Sequence, residues 1–506
     1  MLAVGPRMDS DPIIVWFRRD LRIADNPALL YAAHHGQPVL PLYVGDWEDG
    51  DRWAPGKAGR WWLEQSLRQL AASLASRGAR LCTLCGNAEE ELPRLAREIG
   101  AREVVWNRLY EPYPRELERR VAAGLERDGV RWRAFDAGLL FDPDSHFSRS
   151  GRPFVQFTAF WRSCLSLPEP APPEPEAGVL RGVDAVARTA PSAASGTEPS
   201  SAPDEQPPES ASPWERGIGE TPTWVPGEAG AYACLERFLE DGLADYEVSR
   251  DVPGIDGTSR LSPHLHFGEI GARQVWHAVR EVAWTKGNAR GAAGPGQASF
   301  LRQLGWREFA HYLLVHFPRI PEEPFRPEFA DFPWEDDPAG LEAWKRGETG
   351  YPLVDAAMHQ LLAEGWMHNR ARMVAASFLT KDLLIPWQQG AAWFWDRLVD
   401  ADLANNTLGW QWTAGSGPDA APYFRVFNPV LQARRFDPEG AYARAWSGQA
   451  SDPAQGGRPA PSPIVDHAEA RARALAAFRG IRRAGTPRGP ASHARTPSAD
   501  QSPLAN

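Results

Sequence analysis

The segment from Leu165 to Gly230 sets the strongest limit on how this chain can fold. It consists mostly of Pro, Ala, Ser, Glu and Gly, and it carries 11 acidic and 3 basic residues. Such a composition cannot bury enough apolar surface to offset the entropy lost on ordering. A chain of 506 residues is also too long for one hydrophobic core. We therefore predict an N-terminal domain (1–164), a long and largely disordered linker (165–230), a second domain (231–450), and a C-terminal helix with a loose tail (451–506).

Strand-like and helix-like segments alternate in the N-terminal part of the chain. The strand-like runs are rich in β-branched and aromatic residues, and a helical pattern follows each one; they are Ile13–Phe17, Val39–Tyr43, Ala79–Leu84 and Glu103–Trp106. This alternation predicts a doubly wound, Rossmann-like α/β domain with a parallel sheet covered on both faces. No G-x-G-x-x-G motif follows the first strand, which argues against a nicotinamide-type dinucleotide site there.

Helical periodicity dominates after residue 230, and strand-like alternation is almost absent. An all-α domain of roughly 220 residues is large enough to enclose a cofactor cavity. The segments with this pattern include Ala231–Gly242, Gly271–Trp284, Ser299–Phe317, Tyr351–Glu364, His368–Ile385 and Gln388–Val399.

Composition favours a cytoplasmic protein that does not enter a membrane. No apolar run reaches the roughly 18 residues needed to cross a bilayer, and the first residues, MLAVGPRMDSDP, lack the apolar core of a signal peptide. Four cysteines are too few for a disulfide framework in a chain of this length. The net charge of −10 at first argues against nucleic acid, but the predicted linker alone contributes −8, which leaves room for a local basic face elsewhere.

Polar residues that are costly to bury are concentrated, together with indoles, between Gly365 and Asn428. A region that only had to fold would use Leu, Ile and Val, because buried carboxylates, amides and guanidinium groups cost free energy unless they are paired. The mixture indicates a pocket for a large, flat ligand with polar edges, and electron transport through aromatic rings. The residues are Trp366, His368, Asn369, Arg370, Arg372, Trp387, Asp400, Asp402, Asn405, Asn406, Trp410 and Trp412.

Two features of the C-terminal region leave alternatives open. Gly257–Ser262 has the hydroxyls and backbone amides of a phosphate cradle, but on its own it is better explained as an ordinary helix N-cap. A buried Arg372 needs a carboxylate partner, and both Asp400 and Asp402 are candidates.

No metal site is predicted. Cys82 and Cys85 form a C-x-x-C pair without a second pair or a histidine cluster, so two small core residues explain them better. His264 and His266 alternate, but no third ligand is apparent.

Seven long stretches of the chain occur in the order of a known family. They are WFRRDLRIADNPAL (Trp16–Leu29), GTSRLSPHLHFGEI (Gly257–Ile270), WREF (Trp306–Phe309), TGYPLVDAAM (Thr349–Met358), GWMHNRARM (Gly365–Met373), ASFLTKDLLIPW (Ala376–Trp387) and DADLANNTLGWQWTAGSGPDAAPYFRVFNP (Asp400–Pro429). They resemble the photolyase/cryptochrome family, and most closely the pattern of bacterial cyclobutane pyrimidine dimer (CPD) photolyases. The resemblance implies an α/β antenna domain, a helical FAD-binding domain, and light-driven repair of UV-damaged DNA by a monomeric enzyme.

FAD is the cofactor that the resemblance implies, with FADH⁻ as the active form. Asn406 is expected to face flavin N5, and Arg372 and Asp400 are expected to form a buried ion pair at the flavin. By motif position, the cofactor-binding residues are Tyr246, Thr258, Ser259, Arg260, Leu261, Ser262, Arg307, Asn369, Arg372, Asp400, Asp402 and Asn406.

Three tryptophans match the family's electron chain for photoreducing the flavin, namely Trp410, Trp387 and Trp334. Trp410 is expected nearest the flavin and Trp334 at the surface. Indoles suit this role because each supports a transient radical. Together with Asn406, these residues carry the photochemical roles that the resemblance assigns.

Contacts to damaged DNA are implied as well. Trp306 and Trp412 match the aromatic pair that holds a flipped-out dimer, and flipping is needed because the lesion is buried in the duplex stack. Met373 fits CPD repair, since (6-4) photolyases are expected to carry His at this position. Arg250 and Arg425 are plausible contacts to the phosphates.

Two departures from the family pattern leave two other functions open. Gln303 stands where CPD photolyases usually carry a Glu that hydrogen-bonds the dimer, and Gln432–Phe436 replaces a usual Gln-Gly-Glu-Lys-Phe run. A cryptochrome-like blue-light photoreceptor is therefore the main alternative to a CPD photolyase. A (6-4) photolyase is less favoured because of Met373.

The family also implies a second, light-harvesting chromophore. Trp106–Pro112 resembles the strand-to-loop region near this antenna, and Asn107 and Glu111 are the residues expected to contact it. The sequence does not distinguish 5,10-methenyltetrahydrofolate from an 8-hydroxy-deazaflavin.

Overall fold

The computed structural model of the chain describes residues 11–45, 53–183, 224–285, 294–419, 424–447 and 462–484. The strands are β1 (Ile13–Phe17), β2 (Val39–Gly45), β3 (Cys82–Cys85), β4 (Glu103–Asn107) and β5 (Arg131–Phe135). The helices before residue 184 are α1 (Pro27–His34), α2 (Lys57–Ser76), α3 (Ala88–Ile99), α4 (Pro112–Arg127) and α5 (Phe157–Cys164).

The region after residue 224 is helical. Its helices are α6 (Glu228–Arg237), α7 (Tyr246–Ser249), α8 (Ser262–Phe267), α9 (Ala272–Thr285), α10 (Pro295–His316), α11 (Pro338–Arg346), α12 (Pro352–Glu364), α13 (Asn369–Ser377), α14 (Trp387–Arg397), α15 (Leu403–Ala414), α16 (Pro429–Phe436), α17 (Ala441–Trp446) and α18 (His467–Ala484). Short π-helical segments lie at Phe238–Gly242 and Phe378–Asp382, and a 3₁₀ helix lies at Pro327–Asp331.

The five strands form one parallel sheet in the order β3-β2-β1-β4-β5. β1 lies in the middle, and its Val15 is paired with Pro41 on one side and with Val105 on the other. All five residues of β1 are buried, as expected for a strand covered by helices on both faces. The predicted doubly wound α/β fold and the helical second region are both confirmed.

Strand β5 is the element of this sheet that the sequence analysis does not predict. Its sequence, RWRAF, alternates arginine with other residues, and its first three residues are exposed. Arg131 forms an ion pair with Glu103 of β4 at 3.3 Å. Charged residues are typical of edge strands, where they discourage pairing with other chains. The hydrophobic pattern that reveals the inner strands is therefore missing from β5.

Pro and Gly explain several helix ends in the C-terminal region. α12 begins with Pro352 in its first turn and ends before Gly365, whose φ of 64° is left-handed. The segment His368–Ile385, predicted as one helix, is instead α13 followed by the π-helical segment. Pro386 lies directly before α14 and excludes a continuous helix through this point, because the residue before a proline disfavours helical geometry.

The two predicted domains are packed against each other. Glu269, from the helical region, accepts hydrogen bonds from Trp62 Nε1 of α2 at 3.0 Å and from the backbone N–H of Gly227 at 2.7 Å. Trp62 is fully buried, and its ring lies 5.4 Å from that of Trp224 in a T-shaped contact. Trp224 in turn contacts Trp366 of the helical region at 6.3 Å. A shared apolar cluster therefore joins both regions.

The predicted linker is shorter at both ends than the composition indicates. The N–H of Leu180 donates to the Arg77 carbonyl at 2.6 Å, and the N–H of Val39 in β2 donates to the Arg181 carbonyl at 2.7 Å. At the other end, Trp224 Nε1 donates to the carbonyl of Glu364 at 2.9 Å. A few apolar residues thus fix the ends of a polar segment, which a composition average cannot reveal. Residues 184–223 lie outside the described part of the chain.

The C-terminal helix predicted within 451–506 is observed as α18. The rest of the predicted tail, 451–461 and 485–506, lies outside the described residues. None of the described helices combines the length and the apolar character that crossing a membrane would require.

Candidate functional site

A cavity of about 1940 Å³ lies within the helical region, and it gathers nearly all of the residues that the sequence assigns to a flavin and to DNA. The predicted cofactor residues that line it are Tyr246, Thr258, Ser259, Arg260, Leu261, Ser262, Arg307, Asn369, Arg372, Asp400, Asp402 and Asn406. The other predicted residues on its walls are Arg250, Gln303, Trp306, Met373, Trp410 and Trp412. We call it the central cavity.

The loop before α8 forms one wall of the central cavity. A Cβ at Gly257 would lie 2.7 Å from the side chain of Ser249, so only glycine allows this close approach. Arg260 has a φ of 52°, an uncommon conformation for a residue with a side chain. The Arg260 guanidinium lies 4.7 Å from the ring centre of Trp366, and Trp366 Nε1 donates to Ser262 Oγ at 3.3 Å. The loop is therefore held in one shape, with its hydroxyls at the cavity.

The N-cap residue of α8 is Leu261, and no side-chain hydrogen bond caps this helix. The ordinary N-cap that the residues alone favour is therefore not what these serine and threonine side chains provide. Ser259 Oγ instead accepts a weak hydrogen bond from the Leu261 N–H at 3.4 Å.

Arg372 and Asp400 form an ion pair on the cavity wall. Arg372 Nη2 lies 2.8 Å from Asp400 Oδ2, and Arg372 Nε donates to the Met367 carbonyl at 2.7 Å. The Asp400 side chain is only 3 % exposed. Among the described residues, its second oxygen, Oδ1, is buried and has no hydrogen-bond partner. An acceptor in this state calls for a donor from a ligand.

Asp402, the other candidate partner for Arg372, has a different role. One of its oxygens accepts from the backbone N–H of Asn405 at 2.8 Å and caps α15. The other lies 3.4 Å from His311 Nε2 and 3.5 Å from His266 Nδ1. Burial opposes ionisation of Asp402, but His311 and His266 outweigh it and hold the pKa of Asp402 well below its usual range.

Glu111, His311 and Asp402 have ligand atoms within 4.8 Å of one another, a spacing that a cation can use. The charges of this group are already matched, because Arg19 pairs with Glu111 and the Asp402 carboxylate raises the pKa of His311 despite its burial. The absence of a metal site therefore stays a prediction.

Trp410, Trp387 and Trp334 belong to one apolar cluster beside the central cavity. Trp410 and Trp387 are each 2 % exposed, whereas Trp334 is only partly buried. Trp410 packs closely on α14, since a Cβ at Gly390 would overlap its ring. The burial of the three indoles follows the predicted order from flavin to surface, but their role in electron transfer stays a prediction.

The residues assigned to DNA lie on the walls of two adjoining cavities. Gln303 Oε1 accepts from Arg250 Nη2 at 3.2 Å, and Trp306 is stacked on Phe157 with 3.8 Å between ring centres. Arg425 does not line the central cavity but an adjoining cavity of about 400 Å³, which also contains Trp412.

A further cavity, of about 1630 Å³, lies at the carboxyl ends of β1 and β4. This is where the strand order reverses, and ligands of open α/β sheets bind at such switch points. We call it the interdomain cavity, because Trp53 and Glu111 from the α/β region and Trp395 from α14 all line it. The rings of Trp53 and Trp395 are 5.6 Å apart.

The antenna prediction is only partly reproduced by this geometry. Glu111 lines the interdomain cavity, but Asn107 does not. Asn107 is 3 % exposed, and its Nδ2 donates to Asp20 at 2.6 Å and to Asn26 at 2.7 Å. Both of its N–H donors thus serve the loop after β1, and Asn107 lines a smaller neighbouring cavity together with Glu111. Its contact with an antenna stays a prediction.

Sequence reasoning assigns no individual role to several lining residues. Trp366, Arg370 and Asn405 line the central cavity, as the polar, indole-rich stretch indicates, but motif position gives none of them a specific contact. Trp53 and Trp395 are 342 positions apart, and no local pattern links them to each other.

Two family models match the chain. Residues 13–176 match "DNA photolyase", and residues 300–480 match "FAD binding domain of DNA photolyase". The chain is 41% identical to the deoxyribodipyrimidine photo-lyase of Agrobacterium fabrum, covering 94% of this chain and 99% of that protein. It is 39% identical to cryptochrome-2 of Arabidopsis thaliana, covering 87% and 71% respectively.

Solved structures of a photolyase and a cryptochrome also align with this chain. A class III photolyase from Agrobacterium tumefaciens aligns with a TM-score of 0.81 and 39% identity over 95% of this chain and 100% of that one. A Synechocystis cryptochrome aligns with a TM-score of 0.77 and 26% identity over 93% and 99%. The chain therefore belongs to the DNA photolyase family, to which the cryptochromes are also related.

Proposed function

We propose that this protein uses FAD and blue light to repair cyclobutane pyrimidine dimers in DNA. The observation that carries the proposal is the central cavity, where the residues assigned to a flavin and the two indoles assigned to a flipped-out dimer share one set of walls. The relatives named deoxyribodipyrimidine photo-lyase support it, because their similarity extends over nearly the whole chain.

The central cavity fits FAD by size and by chemistry. Its volume of about 1940 Å³, which includes space open to solvent, leaves room for a dinucleotide. The unpartnered Asp400 Oδ1 offers an acceptor for a ring N–H, and Thr258, Ser259 and Arg260 offer groups for phosphates. When bound, FAD supplies the light absorption and the electron that splits the dimer.

The chain's own residues bind the cofactor and hold their polar groups in a fixed orientation toward it. The Arg372 guanidinium holds the Asp400 carboxylate in place through their 2.8 Å contact, so that its second oxygen is in position before the ligand binds. Asn406 Nδ2 donates to the Ala391 carbonyl at 3.1 Å, which sets the orientation of the amide and makes its oxygen the group presented to the flavin. Trp410, Trp387 and Trp334 give a route for electrons from the surface.

For DNA, the proposal assigns Trp306 and Trp412 to the faces of the flipped dimer. Stacking on an aromatic side chain contributes about 1–3 kcal/mol per base, which offsets part of the cost of flipping. The stacking of Trp306 on Phe157 at 3.8 Å holds its indole in place before the substrate binds. Met373 contributes an apolar wall, while Arg250 and Arg425 contact phosphates.

We assign the antenna chromophore to the interdomain cavity. It has room for a pterin or deazaflavin, and Trp53 and Trp395 supply aromatic surfaces on which a flat ring can stack. Arg18 and Glu111 supply polar edges. This assignment replaces Asn107 with the two indoles and keeps Glu111.

We further propose that the protein is a cytoplasmic monomer, as expected for an enzyme whose large substrate binds in one cavity of one chain. Four free thiols fit a reducing compartment. Size-exclusion chromatography with light scattering tests the oligomeric state, and a stable dimer would contradict it.

A blue-light photoreceptor is the second candidate. Gln303 favours it, because an amide engaged by Arg250 cannot provide the negative charge that a Glu would bring to the dimer. The 39% identity to cryptochrome-2 of Arabidopsis thaliana supports it as well.

Repair of a defined oligonucleotide separates the two functions. The purified, reduced protein is mixed with a thymine-dimer oligonucleotide, and the return of thymine absorbance is followed in blue light and in the dark. We expect recovery only in light, and weaker DNA binding after Trp306→Ala. A protein that binds FAD and photoreduces it, yet restores no thymine absorbance, would be a photoreceptor.

A further inference from the structure

Helix α18 concentrates positive charge in a chain that is acidic overall. It contains five arginines and one acidic residue, Glu469, whereas the whole chain has a net charge of −10. The side chains of Arg471, Arg473, Arg479 and Arg482 are exposed. None of the residues assigned above to the flavin or to DNA lies on this helix.

The helix is docked in a defined orientation. Ala474 and Ile481 are buried, and Phe478 stacks on Phe424 with 4.6 Å between the ring centres. Arg473 Nη2 donates to the Asp382 carbonyl at 2.7 Å. Arg473 therefore serves to attach the helix, while Arg479 and Arg482 lie on its exposed side.

The docked face adjoins the proposed substrate site. Phe478 lines the cavity of about 400 Å³ together with Arg425 and Trp412, and Trp412 also lines the central cavity. The guanidinium of Arg482 lies 5.9 Å from the ring centre of Phe478. Arginines and aromatic rings therefore alternate from the edge of the central cavity to α18, a combination that suits a single strand of nucleic acid.

A merely solvated charged face is the simpler alternative, and the pairing of the arginines argues against it. On the α/β region, several exposed arginines have acidic partners, among them Arg97 with Asp128, Arg102 with Asp11 and Arg119 with Glu116. Within the described part of the chain, Arg479 and Arg482 have no acidic partner. Unpaired guanidinium groups in fixed positions are suited to phosphates, which they bind with two parallel hydrogen bonds.

We propose that α18 is a second DNA-binding surface, in which Arg479 and Arg482 contact phosphates of the strand that flanks the flipped-out dimer. The inference rests on the proposed function, because it places DNA in the central cavity. It adds a contact that extends the DNA path from Trp412 across Phe478 to the C-terminal helix.

The salt dependence of DNA binding tests this surface. Affinity of the full-length, FAD-loaded protein for a thymine-dimer duplex is measured by fluorescence anisotropy over a series of salt concentrations. The double variant Arg479→Gln/Arg482→Gln should give a plot of log affinity against log salt that is shallower by about 0.9 for each phosphate that the protein no longer neutralises. At about 150 mM salt we expect about tenfold weaker binding.

A matched control is Arg80→Gln/Arg127→Gln, which removes the same two charges from exposed positions of the α/β region. It should retain the slope of the unaltered protein. A second control, Arg479→Lys/Arg482→Lys, should restore the slope, because lysine keeps the charge. If the lysine variant also gives a shallower plot of log affinity against log salt, the change comes from a disturbed helix and not from lost charge, and the proposal is overturned.

Two further outcomes distinguish failure of this surface from failure of the proposed function. If the glutamine double variant has the same slope as the α/β control while the unaltered protein repairs dimers, α18 does not contact DNA and the proposed function stands. If the unaltered protein neither binds nor repairs the dimer, the proposed function fails and this surface fails with it.

Discussion

The central cavity and the interdomain cavity are similar in size, yet they are built in opposite ways. The central cavity is lined largely by residues from a few continuous motifs, such as Gly257–Ser262 and Asp400–Thr413. The interdomain cavity combines two short runs of the α/β region, Trp53–Gly56 and Glu111–Pro114, with single residues from distant elements such as Trp395. Polar side chains such as Arg372, Asp400 and Asn406 line much of the first cavity. The second presents mainly apolar side chains and two indoles, with the Arg19–Glu111 ion pair among them.

This difference separates two kinds of ligand site. A cofactor that takes part in electron transfer needs charge and hydrogen bonds at fixed positions, and these constrain consecutive residues. A chromophore that only passes on light energy needs a shaped, dry surface, which many combinations of residues provide. We therefore expect substitutions in the central cavity to have large effects, and those in the interdomain cavity to have smaller ones that leave FAD in place.

The largest effect is expected for Asp400→Asn. It leaves the Arg372 guanidinium without its carboxylate and removes the charged acceptor from the flavin site. Loss of one partner of a buried pair costs about 3 kcal/mol or more, so FAD affinity should fall more than a hundredfold. The measurement is the FAD content of the purified protein and its affinity by calorimetry. Glu342→Gln, an exposed acid on α11, is the control, and equal FAD affinity in both variants would remove Asp400 from the site.

The sequence predicts the residues of the central cavity better than those of the interdomain cavity. Ser262, Arg372 and Asp400 each stand inside one of the long motifs, and all three line the central cavity as those motifs predict. The position of Asn107 after β4 predicts an antenna contact, but its donors are used by Asp20 and Asn26. Hydrogen bonds between loops from different parts of the chain have no signature in a single sequence.

The second prediction concerns the contact between the two regions. Burial disfavours a charged His264, but hydrogen bonds with Cys234 and Glu269 outweigh it and raise the pKa of His264 to about 9. The pKa in the unfolded chain is about 6.5. The stabilising contribution is therefore complete below about pH 6.5 and is lost as the pH rises through about 9, by an amount on the order of 3 kcal/mol.

Thermal unfolding at a series of pH values measures this loss. His264→Gln should be less stable than the unaltered protein at pH 6, and the difference should shrink toward pH 9. Because Glu269 also binds Trp62 and Gly227, weakening it should loosen the interdomain cavity before the central one. A constant difference between the two proteins across this range would contradict the assigned pKa.

Trp410→Phe tests the electron route at the central cavity. Phenylalanine keeps the packing against Gly390 and Phe394 but is far harder to oxidise than an indole. We expect photoreduction of oxidised FAD to slow by a factor of about ten or more, since the first step of the chain is lost. Protein reduced chemically in the dark should still repair dimers, which serves as the control. Photoreduction at the original rate would mean that electrons reach the flavin by another path.

Trp395→Ala tests the interdomain cavity. One stacked indole contributes about 1–3 kcal/mol, so binding of added 5,10-methenyltetrahydrofolate should weaken about tenfold while the FAD content stays the same. Absorbance of the bound chromophore gives the affinity. Trp393→Ala, on the same helix but outside the lining of this cavity, is the matched control. Loss of FAD from the Trp395 variant would break the distinction between the two cavities.

Gln303→Glu should have the smallest effect, because the residue already has a partner. Its Oε1 accepts from Arg250 Nη2 at 3.2 Å, and a carboxylate would turn this hydrogen bond into a partly exposed ion pair. Such pairs contribute about 0–1 kcal/mol, so DNA affinity should fall by no more than about fivefold as Arg250 becomes less available to phosphates. The repair yield per absorbed photon should be preserved or increased, since the carboxylate restores the usual contact to the dimer. Yield and affinity are measured separately on the same thymine-dimer oligonucleotide. A clear drop in yield would mean that this protein uses the Gln303 amide for a dimer contact of its own, and that the polar wall of the central cavity tolerates less change than its motifs indicate.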